Sequence, residues 1–246
     1  MKALIPAAGH GTRFAPFTKL VPKEMLPIGA RPAIALIVDE AIEAGADEVV
    51  IITSPEKPLL KKWFAIEPPK VKITWIDQLE QHGLGHAMLQ AANLFCEKDD
   101  KVLILLGDAL VSGGCASKAM VERSEALGGV AVIGVEEVPL EKVSRYGIMK
   151  VEGDYVVDMV EKPSVDEAPS RLAVAGRYLL PVKIFEYLKT QTPGKGGEIQ
   201  LTDSIKRMIA DGTKLAPYVY PGKRQDIGNP GGYYAALTAF RGECKS

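Results

Sequence analysis

The chain has 246 residues, 47% hydrophobic and 25% charged, with a formal net charge of −1. That balance fits a globular protein with enough chain for a substantial core. It excludes the broad positive field of a nucleic-acid-binding or anionic-membrane-binding protein, so any anion site must be a local cluster of cations.

"KALIPAA" opens the chain as a short apolar run typical of a buried parallel strand. Pro32 suits the first turn of the next helix, whose apolar face carries Ile34, Ile37, Val38, Ala41 and Ile42 and which Gly45 stops. A strand over 48–53, a helix through 59–63, a strand over 72–77 and a helix over about 85–95 follow. "KVLILLGD" is the next strand, and a further helix precedes the strand over 129–135. This alternation predicts a Rossmann-like, doubly wound, mostly parallel α/β sheet with helices on both faces. Beyond it, "YGIMKVEGDYVVDMVEKP" reads as a hairpin turning at Glu152-Gly153-Asp154, "LAVAGRYLL" as a strand and "VKIFEYLKT" as a helix. These additions form a β-rich cap over one side of the sheet. No linker separates them, so one domain is expected over 1–246, with halves at 1–138 and 139–246.

No apolar run is long enough to span a bilayer, and the N-terminus lacks a signal-peptide core. Cys96, Cys115 and Cys244 are scattered and suggest neither a disulfide framework nor a zinc site. A cytoplasmic protein is expected.

Ligands on such sheets bind beyond the carboxyl ends of the strands, which directs attention to 9–13, to 78–85 and to Asp108. Ala7, Ala8, Gly9 and Gly11 let backbone N–H groups approach phosphate oxygens. Arg13 offers a planar fork and Lys19 and Lys23 point charges, yet the Gly-Lys-Ser/Thr ending of a P-loop is missing. Gln78 could read a base edge with its amide, and Gly83 and Gly85 would let a flat ring lie against backbone. Asp108, after a run of apolar residues, needs a cation or a turn hydrogen bond, and Mg²⁺ prefers one or two carboxylates with substrate phosphates. Asp226 is a second isolated acid, and spacing alone does not show whether the two meet. Glu161 and Lys162 point to opposite faces of an extended chain, one suited to sugar hydroxyls and the other to phosphate. Glu198 lies ahead of a helix with Thr202 as its expected N-cap, within reach of a sugar. The three histidines form no nucleophile-activating set.

The segments "IPAAGHGTRFAPFTKLVPKEMLP", "GLGHA", "LLGDALV", "RYGIMKV", "VEKP", "APSRLAVAGRYLL", "GEIQLTDSI" and "QDIGN" together resemble the sugar-1-phosphate nucleotidyltransferases almost end to end. "PKEMLP" and "APSRLAVAGRYLL" favour the uridylyltransferase branch. That resemblance implies the nucleotide-diphospho-sugar transferase fold. It also implies Mg²⁺-dependent conversion of UTP and glucose-1-phosphate to UDP-glucose and pyrophosphate by a homo-oligomer, a dimer or tetramer. Ala8, Gly9, Gly11, Thr12 and Arg13 would line the triphosphate, Lys23 would contact phosphates, and Gln78 and Gly83 would read the uracil. Asp108 and Asp226 would hold Mg²⁺. Gly147, Glu161, Gly176 and Glu198 would shape the sugar pocket, with Lys162 on the sugar phosphate. The chain departs from the pattern in a shortened stretch between Lys57 and Lys72, a short tail after Tyr234, and Ala109 where a second acid is common. A relative using dTTP, CTP or another sugar, and a non-catalytic nucleotide-sugar sensor, remain the alternatives. A dinucleotide-dependent dehydrogenase fits poorly, because "GHGTRFAP" lacks the third glycine.

Overall fold

A computed structural model describes residues 1–96 and 100–241, and Cys244 lies outside them. In chain order the first half carries β1 (Lys2–Pro6), β2 (Pro27–Ile28), β3 (Arg31–Pro32), α1 (Ala33–Glu43), β4 (Glu48–Thr53), α2 (Pro58–Ile66), β5 (Lys72–Asp77) and α3 (Leu84–Leu89). There follow β6 (Lys101–Leu105), β7 (Ala109–Val111), α4 (Ala116–Ala126), β8 (Ala131–Glu137), β9 (Gly147–Glu152) and β10 (Tyr155–Glu161). The chain closes with β11 (Leu172–Pro181), α5 (Ile184–Lys189), α6 (Leu201–Ala210), β12 (Leu215–Val219), β13 (Arg224–Asp226) and α7 (Pro230–Ala239).

Nine strands form one sheet, in the order β10-β9-β11-β6-β1-β4-β5, with β8 beside β11 and β12 beside β8. The pairs β6–β1, β1–β4, β4–β5 and β8–β12 are parallel. β11 runs antiparallel to β6, β8 and β9, and β10 antiparallel to β9, so β10 and β11 alone oppose the direction of the others. The mostly parallel α/β sheet expected from the sequence is therefore present. The predicted hairpin is β9–β10, but the expected cap over one side of the sheet is corrected: β9, β10 and β11 continue the central sheet beside β6.

The period of two along a strand sorts the core onto two faces. Ala3, Ile5, Val49, Ile51, Leu103 and Leu105 pack with α1, α2, α4 and α7. Leu4, Val50, Ile52, Val102 and Ile104 pack with α3, α5 and α6. One ion pair crosses the first layer: Arg177 on β11 donates to both carboxylate oxygens of Glu40 on α1 (2.9 and 2.7 Å) and to Ala109 O on β7 (2.8 Å).

Several boundaries differ from the sequence reading. Pro32 stands extended just before α1 (φ −69°, ψ 149°) and not inside its first turn. The helix expected over 85–95 stops at Leu89 and continues as a separate 3-10 turn, Ala92–Leu94. Strand β6 ends at Leu105, because Leu106 N turns to Gly176 O (3.0 Å) and Gly107 N to Pro6 O (3.1 Å), so Asp108 sits on the turn into β7. Helix α6 starts at Leu201 with Gln200 in the cap position, which puts Thr202 inside the first turn and not at the N-cap.

Candidate active site

The loop after β1 is shaped from below by Lys57. Its ammonium donates to Ala7 O (2.7 Å), Gly9 O (2.6 Å) and both Glu24 carboxylate oxygens (3.0 and 2.9 Å). In a trans peptide the N–H opposes the C=O, so the N–H groups of Ala8 and His10 point away from Lys57. Burial raises the Glu24 carboxyl despite Lys57, and burial lowers the Lys57 ammonium despite Glu24. Gly11 takes the left-handed conformation (φ 66°) that turns the chain into the 3-10 turn Thr12–Phe14, with Thr18 Oγ1 on Gly11 O (2.9 Å). Ala8, Gly9 and His10 line a cavity of 480 Å³, shared with Lys23, Gln78, Gly83 and Asp108. Thr12 and Arg13 are exposed and lie outside the lining of this cavity.

The two acids that spacing could not join are brought together by a short ladder. Strand β7 pairs antiparallel with β13, with Asp226 opposite Ala109, and Ile227 N donates to Asp108 O (2.9 Å). A side chain on Gly228, whose N–H donates to Asp226 Oδ1 (2.9 Å), would begin 2.8 Å from that oxygen, 3.2 Å from Asp108 Oδ2 and 3.7 Å from Lys23 Nζ, so the missing Cβ lets both carboxylates approach one point beside the Lys23 ammonium. Each acid has a cation: Lys23 Nζ donates to Asp108 Oδ2 (2.6 Å), and Arg13 approaches Asp226 Oδ2 at 3.6 Å. Withdrawal from water pushes the Asp108 carboxyl up, but Lys23 outweighs it and the net shift is down. Burial likewise lowers the Lys23 ammonium, and Asp108 with Glu24 overcomes it, giving a net rise. Among the described residues no group of three or more His, Cys, Asp or Glu side chains could hold a metal. Two carboxylates approaching one point fit a hard divalent cation that takes its remaining ligands from substrate phosphates and water.

Gln78 follows β5, with its N–H on Thr53 O (2.7 Å) and its amide against His86 Nδ1 (3.0 Å). Gly83 and Gly85 are tight for a reason besides any ring. A Cβ on Gly83 would meet Glu198 Cβ at 2.8 Å, and one on Gly85 would meet Ile199 Cγ2 at 2.7 Å. The backbone there interlocks through Ile199 N to His82 O and Gly85 N to Ile199 O, both 2.8 Å. Glu198 lines this first cavity and accepts from Gln200 Nε2 (2.8 Å).

A second cavity of 320 Å³ adjoins the first, and Asp108, Leu84 and Leu106 line both. Its wall includes Gly147, Glu161, Lys162, Gly176 and Thr202. Glu161 Oε2 accepts from Thr202 Oγ1 (2.6 Å), which is the structural work of the threonine expected to cap α6. Gly147 leaves little room for a side chain beside those partners: its Cβ would lie 3.1 Å from Thr202 Oγ1 and 3.2 Å from Glu161 Oε2, so either would have to give by a few tenths of an ångström. Gly176 holds φ +80°. The expectation that Glu161 and Lys162 face opposite ways is corrected. Lys162 leaves the strand in the left-handed region (φ 47°), and its Nζ returns to within 3.4 Å of Glu161 Oε1. Non-glycine residues adopt that conformation at a cost and hold it where the surroundings require it.

The sequence reading missed Lys57, Glu24, Thr202 as a partner of Glu161, and the group around Arg224. Arg224 donates from Nε to Glu136 Oε1 (2.9 Å) and lies over the Tyr146 ring at 4.3 Å. The signal for Lys57 was a lone cation in "SPEKP", indistinguishable in sequence from a solvated lysine.

A nucleotidyl transferase family model matches residues 2–242. The chain is 39% identical to the UTP–glucose-1-phosphate uridylyltransferase of Bacillus subtilis (strain 168), over 97% of this chain and 90% of that one. It is similar to a crystal structure of UDP-glucose pyrophosphorylase complexed with UDP-glucose (TM-score 0.90, 36% identity, 98% of each chain). It is also similar to the UTP-bound UGPase of Acinetobacter baumannii (TM-score 0.81, 36% identity, 97% of this chain and 92% of that one).

Proposed function

Because this chain belongs to the nucleotidyl transferase family, we propose that it transfers the uridylyl group of UTP to glucose-1-phosphate, giving UDP-glucose and pyrophosphate, with Mg²⁺ as the metal. The observation that carries this reading is the meeting of two cavities at Asp108, with Asp226, Lys23 and Arg13 around the junction. The first cavity takes the nucleotide: Gln78 and Gly83 meet the base, and the N–H groups of the loop at Ala8, Gly9 and Gly11 meet the phosphates. The second takes the sugar phosphate, with Glu161 and Gly147 at the hydroxyls and Lys162 at the phosphate. The relatives named for UTP and UDP-glucose supply the identity of base and sugar.

In the reaction an oxygen of the sugar phosphate forms a bond to the α-phosphorus while the bond to the pyrophosphate oxygen breaks in line. The nucleophile is already an anion near neutral pH, so no general base is required. The obstacle is repulsion between two polyanions, which fixed cations and alignment reduce. Lys162 holds the attacking phosphate. Lys23 and Arg13 face charge on the triphosphate, Arg13 on the leaving side. Asp108 and Asp226 would hold Mg²⁺, which supplies a fixed positive charge to phosphate oxygens.

No helix among the described residues is long and apolar enough to cross a membrane. Cytoplasmic residence and homo-oligomeric assembly complete the proposal, and light scattering that returns a monomer contradicts the assembly. The catalytic reading is tested by pyrophosphate release from UTP and glucose-1-phosphate with Mg²⁺. Binding of both substrates without release would contradict it.

A further inference from the structure

Gln78 is 3% exposed, yet it lines the first cavity. Its Nε2 stands 3.0 Å from His86 Nδ1, and among the described residues nothing donates to its Oε1. An amide nitrogen has no lone pair to offer. The contact is therefore a hydrogen bond only when the amide donates and Nδ1 carries the ring's lone pair. The other ring nitrogen faces Gln90, whose Nε2 is 3.3 Å from His86 Nε2 and 3.2 Å from His86 O. A neutral imidazole has one lone pair to share. Exposed Gln90 can use the carbonyl, whereas buried Gln78 has Nδ1.

With one Nε2 hydrogen given to His86, the amide keeps an edge of one donor beside one acceptor. That edge complements N3–H and O4 of uracil. Cytosine presents the reverse, an acceptor at N3 and a donor at N4, and is matched only by an amide turned over. The turned amide would place Oε1 against Nδ1 and make a hydrogen bond only with the ring proton moved to Nδ1, so the sense of the amide and the tautomer of His86 are set together. His86 itself is held by α3, whose start is pinned through Gly85 N to Ile199 O (2.8 Å), and by the His82 ring packed edge-on at 5.0 Å.

We propose that His86 is a positioning residue that fixes the sense of the Gln78 amide and so sets a preference for the uracil edge over the cytosine edge. The inference rests on the proposed base-reading role of Gln78. It acts on the edge that uracil shares with thymine, and so concerns UTP against CTP.

The test is kcat/KM for UTP and for CTP, each with glucose-1-phosphate, in wild type, His86→Phe and His86→Asn. Phe keeps a flat ring without nitrogen, and the Asn Oδ1 can accept from the amide as Nδ1 does. The UTP:CTP ratio is expected to fall at least about tenfold in His86→Phe, the lower range for one bidentate base contact. KM for glucose-1-phosphate should be unchanged, and His86→Asn should keep most of the ratio. Should the Phe chain not fold, His86→Leu serves as the apolar variant. An unchanged ratio in the apolar variant overturns the inference, as does an equal loss in His86→Asn. A wild type that releases no pyrophosphate from UTP overturns the reading beneath it, and the inference with it.

Discussion

Lys23 and Asp108 are a cation and an acid held 2.6 Å apart at the junction of the two cavities. Arg13 and Asp226, at 3.6 Å, form a looser second pair. The alternation keeps two carboxylates and two cations close without a net charge before substrate arrives. Arg13→Ala is expected to lower kcat by roughly 10²–10³, the scale for loss of one donor placed for the transition state. A risen KM with kcat unchanged would show that Arg13 only binds. Asp108→Asn should abolish Mg²⁺-dependent turnover while the circular dichroism spectrum stays native, and normal turnover would remove Asp108 from the metal site. Gly228→Ala addresses the approach of the two acids directly, because the new methyl would stand 2.8 Å from Asp226 Oδ1. A loss of about 10²-fold in kcat is expected from displacement on the ångström scale, together with a raised Mg²⁺ requirement in a metal titration. An unchanged titration would place the metal elsewhere.

At the scale of elements, the ladder between β7 and β13 does what sequence distance conceals. Asp108 and Asp226 were each recognisable as isolated acids in "LLGDALV" and "QDIGN". Their meeting was not, since it depends on Asp226 falling opposite Ala109 in a two-stranded sheet of three-residue strands. Strands so short carry almost no periodic signal. With Ile227 N on Asp108 O and Ser112 N on Lys223 O, the alternation of an antiparallel ladder gives Gln225 N to the carbonyl of Leu110. Gln225→Pro should therefore free Asp226 from its register and cost most of the turnover. Its melting temperature should stay near that of wild type, because the nine-stranded sheet does not include β13. Retained activity would show that the ladder is dispensable. The Glu161–Lys162 pair teaches a related lesson. Alternation in an extended chain assigned the side chains to opposite faces, and the left-handed turn at Lys162 reversed that assignment.

Over the whole molecule, the parallel sheet was legible because its strands are buried on both sides and read as continuous apolar runs, as "EVVIIT" and "KVLIL" do. The buried pairs were not legible, because a lysine such as Lys57 or an arginine such as Arg177 looks like surface until its partner is placed. Arg177 and Glu40 also contribute to how stability depends on pH. Burial would raise the Glu40 carboxyl, but Arg177, helped by Ser117, holds it below the usual carboxylate range. A folded value below the unfolded one gives stability that is full above about pH 4.3 and is lost as pH falls through the folded value. Glu40→Gln should cost about 3–5 kcal/mol at neutral pH, the scale for breaking a buried pair, and should flatten the acid limb of melting temperature against pH. The claim that joins these scales is uridylyl transfer at the junction of two cavities. The most direct measurement is an initial-rate matrix of UTP, dTTP, CTP and ATP against glucose-1-phosphate and other sugar-1-phosphates, with Mg²⁺, following both pyrophosphate and nucleotide sugar. The highest kcat/KM is expected for UTP with glucose-1-phosphate, with one UDP-glucose per pyrophosphate; a higher value for another pair, or no product in any cell of the matrix, would contradict it.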